Sequence, residues 1–338
     1  MNLSDFDYDL DERLIALYPN PSRDRSRLMV IDRKEKRFEH RVFADIAGYL
    51  RPGDLMVLND TKVFPARLSG KRKDTGGVVE ILLIKEEGDN TWETLARGNL
   101  RPGVIISFDY DINGEVGDSL GDGRFLVRFS HSSDILQARI GKVPLPPYIK
   151  REVEKEDEER YQTIWARSTG SVAAPTAGLH FTERLLTNIS STGVEIRFLT
   201  LHVGPGTFQP IRTDRIEDHK MAVECYDVDQ ETADAIKRTK EDGRRVVAVG
   251  TTACRVIESI FSPDLSVMSL KGQTGLFIYP GYRFKVVDCL VTNFHLPKST
   301  LLLLVSAFAG KDLILSAYNE AIGLGYRFYS FGDAMFIL

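Results

Sequence analysis

Apolar positions along this chain follow two rhythms, and the change between them divides it. Up to about residue 65, and again from about 148 to the end, short apolar runs that read as strands (LMVID, LMVLND, EIRFLTL, RRVVAVG) alternate with segments of helical period (FADIAGYL, FTERLL, QETADAIKRTKEDG, LILSAYNEAI). Between about 66 and 147 the runs VVEILLI, WETLAR, VIISFDY and RFLVRFS are short or alternating and are separated by Gly, Asp and Asn. That spacing belongs to a small all-β barrel of low helical content. The pattern predicts an α/β main domain, a layered mixed sheet with helices, built from residues 1–65 and 148–338. An inserted small antiparallel β-barrel domain over 66–147 interrupts it.

The stretch 275–310, GLFIYPGYRFKVVDCLVTNFHLPKSTLLLLVSAFAG, organises the second half. LFIY, the Pro280–Gly281 turn and FKVVDCLVTNF read as strand, turn, strand. LLLLVSAF is too short for a membrane span and reads as a buried helix with Ser299 or Thr300 at its N-cap. Lys298 and free backbone N–H groups then meet at a helix start, where anions bind. Taken alone, LPKST is better explained by a capped helix with a solvated lysine. The functional reading gains weight because other strands end in turns of the same kind. These are NDTKV with Asp60, APTAGLHFT with Thr176, Gly178 and His180, and HVGPGTF with His202, Gly204, Gly206 and Thr207. GTTACR brings Thr251, Thr252 and Arg255, and TNFHLPKST brings Asn293, His295, Lys298 and Ser299.

Brought together at the strand ends of an α/β sheet, such turns build one polar pocket that accepts a nucleoside or a phosphate. GxGxxG between strand and helix, GxxxxGK[ST] and GxSxG are all missing, which weakens dinucleotide, P-loop and α/β-hydrolase readings. His180, His202 and His295 are spaced by tens of residues, with no metal-site signature, so proton transfer by one of them is preferred over metal ligation. Asp60 and Asp288 sit beside strands as further candidates. Thr182 reads as an N-cap, residues 14–17 as a short helix, and Tyr326, Phe328, Tyr329 and Phe331 as core in preference to a stacking platform.

Composition changes this picture only locally. The chain has 338 residues, 43% hydrophobic and 27% charged, enough for two domains and a sizeable core. Its net charge of −4 argues against wholesale wrapping of nucleic acid but leaves room for a basic face. Arg23, Arg25 and Arg27 share one face if the chain there is extended. Lys71, Arg72 and Lys73 open the barrel segment, and Lys142, Lys150 and Arg151 close it. The three cysteines show no CxxC spacing and are expected as reduced thiols. The acidic start has no apolar h-region, and no run of eighteen apolar residues occurs, so a cytoplasmic protein is expected.

Taken together and in order, the words LIALYPNPSRDRSRLMV, NDTKVFPARLSGK, PLPPYI, AAPTAGLHFT, TLHVGPGTFQPI, VGTTACRVIES, TNFHLPKSTLLLLVSAFAG and YRFYSFGDAMFIL resemble one family. It is the S-adenosylmethionine:tRNA ribosyltransferase-isomerase family of queuosine biosynthesis. The resemblance covers the chain from end to end. Asp11, Lys62, Gln209 and Ile211 depart from its usual pattern without removing a candidate reactive group. It implies an enzyme with S-adenosylmethionine as co-substrate, no prosthetic group or metal, and no obligate protein partner. The implied acceptor is 7-aminomethyl-7-deazaguanine (preQ1) at the wobble position of tRNA; the implied products are epoxyqueuosine, adenine and methionine. On this reading His180 or His202 serves as base or acid, and Asp60 and Asp288 assist the ribose or amines. The glycine and threonine turns, Arg255, Asn293, His295, Lys298 and Ser299 hold the co-substrate, and Arg23, Arg25, Arg27, Lys71, Arg72 and Lys73 contact tRNA. Rival readings are a non-catalytic tRNA-binding protein and an S-adenosylmethionine methyltransferase. The missing glycine-rich loop speaks against the latter, and the accumulation of Gly, Thr and His turns against the former.

Overall fold

The computed structural model describes residues 1–208 and 211–338, with side chains outside 207–210. Four strands, Glu195–Leu201, Leu55–Asn59, Val246–Val249 and Cys289–Asn293, lie side by side and parallel in a nine-stranded sheet. The last three are buried at every position, because helices cover both faces of the sheet; their sequences therefore read as continuous apolar runs. Beyond them the sheet turns mixed. Ala334–Ile337 runs antiparallel to Cys289–Asn293 and pairs in parallel with Arg27–Asp32, and Arg37–Val42 closes that edge. Glu224–Asp227 and Lys271–Thr274 extend the other edge antiparallel.

Alternate residues of the central strands feed two cores. Leu55, Val57 and Ala248 pack with the helices Gly250–Ile260, Thr300–Ala309 and Lys311–Gly323, while Met56, Leu58 and Val247 pack with Glu183–Ser191 and the 3-10 turn Phe43–Tyr49. Thr182 caps its helix through Leu185 N, as its sequence position predicts. Tyr326, Phe328, Tyr329 and Phe331 are buried. Among the described residues no single helix is long and apolar enough to cross a membrane; Thr300–Ala309 and Lys311–Gly323 form a pair bent by 114°.

The six strands from Arg67 to Phe129 close into an antiparallel barrel, ordered Arg124–Phe129, Thr91–Arg97, Val78–Gly88, Arg67–Arg72, Ile105–Ser107, Asn113–Gly121. Its interior is filled by side chains such as Leu68, Ile81, Ile106, Val116 and Val127. Arg67 and Lys142 exchange two backbone hydrogen bonds, so the chain enters and leaves the barrel at one place.

Several local expectations are corrected. Residues 14–17 form no helix: a 3-10 turn, Glu12–Leu14, gives way to a backbone bridge between Ile15 and Phe328. Arg23–Arg25 is likewise a 3-10 turn and not extended, which sends the three arginines in different directions. Asn113–Gly121, NGEVGDSLG, is a strand despite its weak propensity, because barrel closure pairs it on both sides. LFIY and FKVV are not strands. The N–H groups of Lys285, Val286 and Val287 donate instead to the buried Glu258 carboxylate at 2.9–3.0 Å, which takes the place of a ladder partner.

Candidate active site

The parallel strands deliver their turns to one edge of the sheet, and a cavity of about 650 Å³, partly open to solvent, lies there. Its walls are Ala174–Ala177, Val203, Gly250–Thr252, Thr292–Leu296, Ser299 and Leu301, completed by Tyr148, Tyr329 and Ser330. No charged side chain lines it among the described residues.

Two helices begin at this cavity. Gly250–Ile260 starts directly from the strand Val246–Val249, and Gly250 has φ +90°, a turn that suits glycine. Among the described residues no side chain caps this start, and the Oγ1 of Thr252 is buried without a hydrogen-bond partner. The second helix, Thr300–Ala309, is capped by Ser299, whose Oγ accepts from Leu302 N and donates to Leu296 O. The positive potential of the cavity therefore comes from helix starts and not from cations.

Of the three turn histidines, His295 lines the cavity. Its Nε2 meets the Thr292 hydroxyl at 2.8 Å, its backbone N–H donates to Tyr318 Oη, and its backbone carbonyl accepts from Tyr8. Burial pushes its pKa down to about 3, so the ring is neutral at physiological pH. His180 stands one side chain behind the wall. Its Nε2 accepts from Asn293 Nδ2 at 3.1 Å and its Nδ1 pairs with Ser26 Oγ at 2.7 Å. Burial, helped by the positive charges of Arg327 and Arg23, lowers it to about 3 as well. Asn293 also donates to Tyr329 O and accepts from Thr176 Oγ1, so one amide locks three turns. His202 is half-buried outside the cavity lining, its Nδ1 on Thr61 Oγ1 at 2.9 Å; burial lowers its pKa against the opposing pull of Asp60 and Asp227.

The structure brings Thr176, Thr251, Thr252, Asn293, His295 and Ser299 together and leaves other candidates elsewhere. Asp60 is buried between Thr200 Oγ1 and Arg167, each at 2.6 Å. Asp288 lies at the opposite edge of the sheet, paired with Lys240 at 2.6 Å, because it precedes its strand and does not follow it. Arg255 is buried in an ion pair with Glu224 and donates to Leu276 O. Lys298 has φ +56° and turns out of the cavity to Asp7 at 2.5 Å. Gly178 is a packing glycine, since a Cβ there would meet Thr163 and Trp165 at 2.7 and 2.8 Å. Gly204 N donates to Glu224, and Gly206 abuts Ala222. The Thr207 side chain and Gln209 lie outside the described residues.

Among the basic candidates, Arg27 stacks on Tyr326 and bonds to Leu324 O, and Arg72 is engaged by Asp74 at 2.6 Å. Arg25, Lys71 and Lys73 are exposed, and Arg23 is half-buried. Sequence reasoning misses Tyr148, Tyr329 and Ser330 as cavity walls. The signal lies in PLPPYI, which has the look of a linker, and in YRFYSFGD, which has the look of core; the Tyr148 hydroxyl meets Ser330 Oγ at 2.5 Å and joins the two.

The family model described as Queuosine biosynthesis protein matches residues 3–337. The S-adenosylmethionine:tRNA ribosyltransferase-isomerases of Halothermothrix orenii and Clostridioides difficile are 52% and 50% identical, with both chains of each pair covered in full. The crystal structure of the S-adenosylmethionine tRNA ribosyltransferase of Thermotoga maritima is similar, with 39% identity, a TM-score of 0.57, and 99% of this chain and 100% of that one covered. With its strand-end turns, its mixed sheet and its closed barrel, the chain belongs to the queuosine biosynthesis protein family.

Proposed function

We propose that this enzyme transfers and isomerises the ribosyl group of S-adenosylmethionine onto 7-aminomethyl-7-deazaguanine at the wobble position of tRNA. Epoxyqueuosine in tRNA, adenine and methionine are the products. The observation that carries the reading is the cavity: partly open to solvent, free of charged side chains among the described residues, and bordered by two helix starts. The full-length similarity to enzymes of that name supports it. We read the protein as cytoplasmic and monomeric, without prosthetic group or obligate protein partner, its barrel over 66–147 presenting Lys71 and Lys73 to the RNA.

The sulfonium acidifies the ribose 5′ carbon, so a base removes an already activated proton. Adenine then leaves, the acceptor amine attacks, and epoxide closure releases methionine. Within this scheme the start of Gly250–Ile260, with Thr252, receives the methionine carboxylate. Tyr148 and Tyr329, their ring centroids 4.7 Å apart, offer aromatic faces to the cationic co-substrate. His295, the turn histidine that lines the cavity, takes the proton, and His180 holds Asn293 in place from behind.

The test is incubation of the purified protein with S-adenosylmethionine and tRNA carrying the aminomethyl-deazaguanine, followed by chromatography and mass analysis of the nucleoside. Adenine and methionine are expected in step with the epoxycyclopentyl adduct. S-adenosylhomocysteine in their place would mean methyl transfer, and tight tRNA binding without turnover a binding protein. Single-turnover rates unchanged in His295→Ala and His180→Ala would remove both histidines from the chemistry.

A further inference from the structure

A second, smaller cleft, partly open to solvent and about 260 Å³ with that open space counted, lies behind the first. The two share Ser330, and the partition between them is one side-chain layer thick: Asn293 faces the first, His180 the second, and the two are hydrogen-bonded. Arg23 and Arg160 line this second space, and Arg327 reaches its wall at Phe331.

The hydrogen-bonding Nη groups of these three guanidiniums donate only to backbone carbonyls. Arg23 bonds Leu179 O and Glu159 O, Arg160 bonds Asn20 O and Pro21 O, and Arg327 bonds Tyr18 O and Phe331 O, all at 2.6–3.3 Å. Arg151, Arg245 and Arg255 each hold a carboxylate, whereas none of these three has one within 4.0 Å among the described residues. The Nε of Arg160 is buried with no hydrogen-bond partner among the described residues. Burial, and then the like charge of Arg160, pull the Arg23 guanidinium below its usual range, and the exposed Glu159 carboxylate opposes them less. Carbonyl oxygens orient a guanidinium without neutralising it, so the partly buried like charges gathered at this cleft are offset only weakly, by the exposed Glu159, until an anion enters. Guanidinium forks suit the oxygens of a phosphate.

We propose that Arg23, Arg160 and Arg327 form a binding site for a tRNA backbone phosphodiester beside the nucleotide being modified. This rests on the functional reading above. A phosphate held here lies one side-chain layer from the reaction cavity, and the exposed Arg25 on the same turn continues the positive surface outward. The alternative anion, the methionine carboxylate, already has the helix start in the first cavity.

The test measures the affinity of Arg23→Gln and Arg160→Gln for an anticodon stem-loop carrying the aminomethyl-deazaguanine, over a range of salt. Each variant is expected to bind about tenfold more weakly, and the slope of log affinity against log salt to fall by roughly 0.7 for the single phosphate no longer neutralised, with KM for S-adenosylmethionine unchanged. Because Arg160 also tethers Asn20 and Pro21, a second measurement uses the unaltered protein with stem-loops in which single phosphates are replaced by uncharged methylphosphonates. One position is expected to weaken wild-type binding by a similar factor and to cost Arg160→Gln nothing more. If no single phosphate matters, or if the variants change KM for S-adenosylmethionine alone, the site is not a phosphodiester site. An unaltered protein that releases no adenine overturns the functional reading, while the phosphate scan still judges the site.

Discussion

Thr252 and the two buried histidines show how single side chains here are tuned for a ligand more than for the free fold. The Thr252 hydroxyl is buried and bonds to nothing, so it already bears the cost of an unmet polar group. Thr252→Val keeps the shape and removes that group. Its melting temperature is expected to be unchanged or slightly raised, while KM for S-adenosylmethionine rises about tenfold, the loss of one hydrogen bond to a charged group. An unchanged KM would take Thr252 out of the carboxylate site. His180 and His295 are neutral in the fold, with pKa about 3 against 6.5 in the unfolded chain. Between those values the unfolded state binds the extra protons. The stabilisation is therefore fully present above pH 6.5 and drains as pH falls toward 3, by about 1.4 kcal/mol per pH unit for each histidine. Urea unfolding between pH 6.5 and 5 checks this, and His180→Asn is expected to show roughly one proton's worth less slope.

At the scale of elements, the strand Glu224–Asp227 and the helix Gly250–Ile260 are tied by the buried Arg255–Glu224 pair, and Glu224 also holds Gly204 N at the turn after Glu195–Leu201. Three elements around the cavity thus share one carboxylate. Removing it leaves a buried guanidinium uncompensated, and Glu224→Ala is expected to destabilise by about 3–5 kcal/mol in denaturant titration. The double change Arg255→Met with Glu224→Leu removes both charges and is expected to cost far less. A double variant as unstable as the single one would show that packing and not charge carries the effect. Glu258 acts in the same way on the segment before Cys289–Asn293, where one carboxylate replaces a sheet partner for three N–H groups. Both pairings join residues distant in sequence, which is why the sequence alone makes FKVV look like a strand and Arg255 like a free cation.

At the scale of the whole molecule, an acidic protein has to present a basic surface locally. Lys71 and Lys73 are exposed on the barrel and stand outside any ion pair among the described residues, while Arg72 between them is neutralised by Asp74. Lys71→Glu with Lys73→Glu is expected to weaken tRNA binding by at least about tenfold at low salt and to flatten its salt dependence, as counterion release requires. Unchanged affinity and slope in that variant would return the barrel lysines to ordinary surface duty.

The sequence by itself determined what depends on neighbours along the chain. The apolar strand runs, the Thr182 and Ser299 caps, the buried helix after LPKST, the barrel's alternating segments and the glycine–threonine turns are all legible in it, because period, capping and turn chemistry are local. So are Thr176, Thr251, Thr252, Asn293, His295 and Ser299 as cavity residues, since each stands in a turn that the sequence marks with Gly, Thr, Asn or His, and the strands of an α/β sheet deliver such turns to one edge. Only the tertiary structure decided which charges are spent. Asp7 takes Lys298, Glu224 takes Arg255, Lys240 takes Asp288, and the 3-10 turn Arg23–Arg25 keeps Arg23, Arg25 and Arg27 off a single face. Those outcomes depend on which distant side chain arrives within a few ångströms, and the same packing left Arg23, Arg160 and Arg327 around one small void with no carboxylate paired to them among the described residues.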